Sequence, residues 1–237
     1  LGAASINNFG HNFPLLFKFL DAKEDLSIQV HPNDALAKER HKSFGKTEMW
    51  YVMQADDNAR LVVGFKDKTN KKEYQDHLEN KTLVTILNET LVKKGDAFFL
   101  ETGTVHAIGA GVLIAEIQQT SDITYRLYDW DRVGANGVGR ELHTDLALDA
   151  INFETTNTKL NYAAAKNKSV NLVECPFFKT NILQISEKYN WKKIKESFTV
   201  LMCTEGSFTI NMLHFQSEFK KGDTVLIPAI IDGFEII

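Results

Sequence analysis

Long hydrophobic runs are missing from this chain of 237 residues. No stretch of about 18 apolar residues occurs, the length a helix needs to cross a bilayer, so no membrane span is expected. An excess of basic charge is missing too: 27 Lys and Arg stand against 31 Asp and Glu, a net charge of −4. Basic pairs such as Lys71-Lys72, Lys93-Lys94 and Lys220-Lys221 are short and interleaved with acids. They read as solvated surface, and no nucleic-acid partner is expected. Cysteine is scarce: Cys175 and Cys203 make no disulfide framework, and a reduced, cytoplasmic setting is expected. No signal peptide is visible, although the chain opens on Leu1 and not on Met. GxGxxG, P-loop and GxSxG motifs are all absent, which removes the commonest nucleotide-binding and serine-hydrolase readings.

What is present reads mainly as β-structure. Short β-branched and aromatic runs occupy 13–21, 26–30, 48–54, 59–65, 96–101, 112–118 and 123–130, parted by Gly, Asn, Asp or Lys turns. That spacing predicts a sandwich or barrel. Lys71 to Glu89 lacks Gly and Pro and places Tyr74, Leu78, Leu83 and Ile86 at helical intervals, which predicts a helical insert over about 70–90. HPNDALAKERH predicts a short helix capped by Asn33 or Asp34, and LHTDLALDAINF another starting near Thr144 or Asp145. Residues 155–169, rich in Asn, Thr, Lys and Ala, read as a linker. The expected organisation is a first domain over 1–150, then the linker and a second strand-rich domain over 151–237.

KKGDAFFLE (93–101) and KKGDTVLIP (220–228) align without a gap, which points to two related β units. The first copy runs on to His106, whereas the second has Gly233 at the corresponding place. The repeat resembles the second motif of the cupin superfamily, in which Gly, Pro, Gly and His recur at fixed spacing. Gly95, Gly103 and His106 fit it, and Glu101 replaces the proline; in the second copy only Gly222 and Pro228 fit. The resemblance implies two double-stranded β-helix barrels, the first able to bear a metal and the second degenerate.

Three places offer ligands. Gln29 and His31 lie two apart in LSIQVHPND and so share one strand face. Glu48 opens a strand in GKTEMWYV, and His106 follows one. Two imidazoles, a carboxylate and an amide oxygen suit a borderline divalent cation, zinc foremost. Taken singly, His31 reads as a strand-ending residue before proline and Glu48 as a solvated edge. His11, His41, His77, His143 and His214 show no partner pattern and read as surface or core.

LSIQVHPND, GKTEMWYV, GTVHAIGAG and EIQQTSDITYRLYDWDR occur in that order, and in this the chain resembles the type I mannose-6-phosphate isomerases, also called phosphomannose isomerases. The resemblance runs from about Phe13 to Trp130, with a weaker continuation through the second barrel. It implies Zn2+ held by Gln29, His31, Glu48 and His106. It implies interconversion of mannose 6-phosphate and fructose 6-phosphate through a cis-enediol. Lys46, Glu116 and Arg126 fall on catalytic positions. Ser27, Lys46, Asp122 and Arg126 are placed about the substrate, with Glu116 and Asp122 expected to support Arg126. The expected partner is a small sugar phosphate, with the chain a monomer or homodimer. Family members carry more chain ahead of the first motif, so a segment is expected to be missing there, and a final strand after the abrupt end. Two other readings stay open: a non-catalytic cupin that binds a sugar or sugar phosphate, and an iron cupin oxygenase, against which Gln29 argues.

Overall fold

The computed structural model describes residues 1–193 and 196–237. In chain order the elements begin with α1 (Ala3–Phe9), β1 (Leu15–Ala22), β2 (Ile28–Val30), α2 (Asp34–His41), β3 (Glu48–Ala55) and β4 (Arg60–Phe65). Then come α3 (Lys71–Glu79), β5 (Leu87–Leu91), β6 (Ala97–Leu100), β7 (His106–Ile108), β8 (Val112–Gln119), β9 (Tyr125–Tyr128) and α4 (Thr144–Ala147). The second half adds β10 (Ser169–Glu174), β11 (Lys179–Leu183), β12 (Tyr189–Lys192) and β13 (Thr199–Met202). It ends with β14 (Ser207–Met212), β15 (Phe215–Lys220), β16 (Thr224–Ile227) and β17 (Gly233–Ile236). Two compact units result: Leu15–Leu160, and Leu1–Pro14 together with Asn161–Ile237. The first fourteen residues thus group with the second half of the chain.

In the unit Leu15–Leu160, two antiparallel sheets run β1-β8-β3-β6 and β5-β4-β7-β2-β9. Trp50, Val52, Phe98, Leu100 and Ile114 of the first sheet pack with Leu61, Val63 and Ile108 of the second. The opposite face of the five-stranded sheet carries Ile28, Val30, Ala107 and Leu127, which pack with Tyr74 of α3 and Ala147 of α4. Strand β2 is therefore covered on both sides. Its apolar residues lie under helices, and its alternate residue Gln29 is turned the other way.

Helix α2 starts where expected, with Asn33 Oδ1 accepting from the Leu36 amide at 2.9 Å. The insert differs from expectation. Helix α3 ends at Glu79, a 3-10 turn spans Leu83–Ile86, and Leu87–Leu91 is strand β5, paired with β4. Lys81 takes the left-handed conformation (φ 57°), which ends the helix despite the absence of Gly or Pro. Helix α4 is a four-residue turn with His143 at its N-cap. Part of the stretch expected as linker adds to the sheet edge: the Phe99 amide donates to Thr158 O and the Leu160 amide to Ala97 O, both at 2.8 Å.

The unit containing Asn161–Ile237 has sheets β10-β11, β12-β17-β14-β15 and β13-β16 around Ile210, Ile227, Phe234 and Ile236. The sequence repeat is also a repeat of hydrogen bonds. The Lys93 amide donates to Asp96 Oδ2 and the Lys220 amide to Asp223 Oδ2, at 3.1 and 2.8 Å. Gly95, at φ 90°, donates to Val52 O; Gly222, at φ 95°, donates to Cys203 O. Strand β6 pairs with β3 as β16 pairs with β13, with Glu48 opposite Leu100 and Thr199 opposite Ile227. The second copy thus has Thr199 where the first has Glu48, as well as Gly233 in place of His106.

Candidate metal centre

Three neighbouring strands supply one wall. Gln29 on β2 is opposite both His106 on β7 and Arg126 on β9, and residues paired across antiparallel strands share a face. Glu48 opens β3 on the other sheet, and Trp50, two residues on, is opposite Glu116 of β8, itself opposite Lys18 of β1. Strand alternation on β2, β3 and β8 thus builds a polar interior between two sheets.

His31, Glu48 and His106 converge, their ligand atoms all within 4.8 Å of one another, and each side chain is at most 2% exposed. His31 Nε2 lies 3.4 Å from Glu48 Oε1, and His106 Nε2 lies 3.6 Å from Glu48 Oε2. Each imidazole is fixed from behind. His31 Nδ1 donates to Ile123 O at 2.9 Å, and His106 Nδ1 donates to Thr104 O at 2.8 Å. These bonds set the tautomer, so both Nε2 lone pairs face the carboxylate. Burial lowers the pKa of both imidazoles, that of His106 to about 3 against the pull of Glu48. Both rings are neutral near pH 7 and hold their lone pairs available.

Burial works against a charged Glu48, but His31 and Lys46 beside it outweigh that and hold the carboxyl well below its usual range. Lys46 is itself buried, with Nζ 2.9 Å from Glu48 Oε1 and 3.3 Å from His31 Nε2. Among the described residues, the Lys46 ion pair apart, neither Glu48 oxygen has a hydrogen-bond partner. A buried carboxylate balanced by one ammonium and facing two imidazole lone pairs is a donor set that a divalent cation satisfies. Gln29 joins at the edge, its Nε2 3.4 Å from His106 Nε2. Turning the amide over presents its oxygen at the same point.

The other expected residues are distributed more widely. Glu116 is 3% exposed, ion-paired to Lys18 at 2.9 Å and accepting from Trp50 Nε1 at 3.3 Å. Burial and the Glu48 charge push its carboxyl up to about 7, against the pull of Lys18. Ser27 is buried just ahead of β2, and Asp122 is exposed. Arg126 donates from Nη1 to Glu141 O at 2.9 Å, and its Nε is buried without a partner among the described residues. Neither carboxylate expected to support Arg126 does so: Glu116 engages Lys18 and Trp50, and Asp122 faces outward. Backbone atoms of residues 141 and 143 hold Arg126 instead.

Lys18 was not among the sequence candidates. It also donates to Gln118 Oε1, so β1 contributes a cation to the polar interior. Its one signal was a lysine inside the apolar run LLFKFL. His143, read as unpartnered, bonds Arg126, and His41 bonds the Tyr125 hydroxyl at 2.8 Å.

The family model described as phosphomannose isomerase type I, catalytic domain, matches residues 1–65. That described as mannose-6-phosphate isomerase, cupin domain, matches residues 168–237. The mannose-6-phosphate isomerase ManA of Bacillus subtilis is 37% identical over 231 residues, 96% of this chain and 73% of that protein. The mannose-6-phosphate isomerase of Streptococcus mutans is 35% identical over 226 residues, 94% of this chain and 71% of that protein. The crystal structure of the Bacillus subtilis mannose 6-phosphate isomerase matches with a TM-score of 0.87 at 34% identity, covering 95% of this chain and 72% of that one. A variant of phosphomannose isomerase from Salmonella typhimurium matches at a TM-score of 0.79 and 17% identity, over 98% of this chain and 78% of that one, which speaks for the fold alone.

Proposed function

The chain belongs to the type I mannose-6-phosphate isomerase family, and we propose that it interconverts mannose 6-phosphate and fructose 6-phosphate at a zinc site in the first barrel. The observation that carries the metal site is the buried meeting of His31 Nε2, His106 Nε2 and the Glu48 carboxylate, all within 4.8 Å of one another. With Gln29 these side chains would hold the ion. Four N and O donors without a thiolate suit a catalytic zinc better than a purely structural one. When bound, it would polarise the oxygens of the sugar near C1 and C2.

The isomerisation moves a proton between C1 and C2 of the sugar through a cis-enediol. It needs a group near C2 that takes and returns that proton, a stabiliser for the oxygen charge, and a cationic grip on the phosphate. Glu116 stands in the polar interior beside Lys18, and its environment suits a carboxylate that exchanges protons near neutral pH. Lys46, buried against Glu48, is the ammonium proposed to stabilise developing charge on oxygen, a reading its contact with the metal-site carboxylate supports. Arg126, whose Nε has no partner among the described residues, is the guanidinium we assign to the phosphate or to a sugar oxygen. Ser27 and Asp122 are proposed at the periphery of the same substrate.

A coupled assay of fructose 6-phosphate formation from mannose 6-phosphate tests this reading, with metal-loaded and rigorously chelated protein side by side. Turnover that disappears on chelation and returns with zinc is expected. Full turnover after metal removal would overturn the metal site, and no turnover by intact loaded protein would favour a sugar-phosphate-binding module.

A further inference from the structure

We infer that His143 is a positioning residue, clamping the backbone of Arg126 so that the guanidinium is held at the substrate site. The inference rests on the proposed role of Arg126. Strand β9 is the edge of the five-stranded sheet, and among the described residues β2 is its one strand partner there. The β2–β9 register shifts between Ile28 and Gln29, beside the Gln29–Arg126 pair, so the ladder is irregular where Arg126 sits. An edge strand turns every second N–H and C=O pair away from its neighbour.

At Arg126 that outward pair is engaged by a single residue. The Arg126 amide donates to His143 Nδ1 at 3.1 Å, and the His143 amide donates to Arg126 O at 2.7 Å. An amide only donates, so Nδ1 carries the lone pair and the ring proton is on Nε2. His143 is also the N-cap residue of α4, and its carbonyl accepts from the Ala147 amide at 3.0 Å. A capping side chain ordinarily accepts from the helix it precedes. This one makes no such bond and is directed to β9.

The clamp is anchored. Ala147 is fully buried in the apolar cluster with Tyr125 and Leu127, and Arg40 of α2 donates to Leu146 O at 2.9 Å. With Glu141 O accepting from Arg126 Nη1, the segment 141–143 fixes Arg126 by backbone N–H, backbone C=O and guanidinium.

Kinetics of four variants of the full-length, metal-loaded protein test the assignment: His143→Leu, His143→Gln, His143→Asn and Arg126→Ala, together with the Leu–Ala double variant. The asparagine Oδ1 lies as many bonds from Cα as Nδ1 and restores the acceptor; the glutamine oxygen lies one bond further out. His143→Leu is expected to lower kcat/KM on the order of tenfold or more, the scale of a misplaced catalytic group. His143→Asn stays close to the parent, and the leucine effect disappears once Arg126 is alanine. Should the leucine variant fail to fold, His143→Gln supplies the same comparison. Unchanged kinetics in both the leucine variant, which lacks the acceptor, and the glutamine variant, which displaces it, beside an impaired Arg126→Ala, would overturn the clamp alone. So would a loss that asparagine does not rescue, or one that persists undiminished without Arg126. Parent-like kinetics in Arg126→Ala would overturn the role of Arg126 and the clamp with it.

Discussion

Charged side chains are rarely buried unless each has a partner, and the first barrel buries several. Glu48 with Lys46, and Glu116 with Lys18, are ion pairs. Gln29, facing His106 and paired with Arg126, marks the open edge of the donor set. Gln29→Leu is expected to lower bound zinc, measured by elemental analysis, with the far-ultraviolet circular dichroism unchanged. Unaltered zinc content would remove Gln29 from the ligand set. Asp129 shows a different use of charge. It is 5% exposed and accepts from Arg140 and Arg132, whose hydrogen bonds overcome burial and lower its carboxyl to about 2. The folded value lies below the unfolded value of about 4, so the stabilisation is full above about pH 4 and lost as pH falls toward 2. Asp129→Asn should cost about 1–2 kcal/mol at pH 7, discounted for the half-exposed Arg140, in urea unfolding. The gap between variant and parent should close as pH falls from 4 to 2.

The strands were legible where they are long and alternate. Strands β1, β3, β4 and β8 were expected within a few residues of where they lie. Strands β5 and β7 were not. His106–Ile108 is three residues long, and its sheet partners are β4 and β2, far away in sequence. Leu87–Leu91 carries an apolar pattern that continues the periodicity of α3, and its strand character comes from pairing with β4. A left-handed lysine is not visible as a helix stop, as glycine would have been. Asn70, by contrast, caps α3 by accepting from the Glu73 amide at 3.0 Å. Asn70→Ala should destabilise the protein by about 1 kcal/mol, read from the unfolding midpoint. The turn before β6 demands more: Gly95, at φ 90°, is expected to tolerate alanine poorly, with a loss of at least about 1 kcal/mol.

For the chain as a whole, the repeat was the feature that linked sequence to architecture. KKGD recurs with the same hydrogen bonds, yet Thr199 and Gly233 stand where Glu48 and His106 stand in the first copy. The cluster of His31, Glu48 and His106 was readable because each of the three sits in a distinctive local motif. The clamp on Arg126 was not, because it depends on an edge strand meeting a histidine seventeen residues on, with no pattern in between. One zinc per chain is therefore expected, and chelation should lower the melting temperature, since an ion bound to the folded state alone stabilises it. The central claim concerns place as well as number. Anomalous scattering at the zinc edge, from crystals of protein active in the isomerase assay, tests it most directly. The account predicts one strong peak per chain, enclosed by Gln29, His31, Glu48 and His106. A peak elsewhere, or none in protein that turns over mannose 6-phosphate, would contradict it.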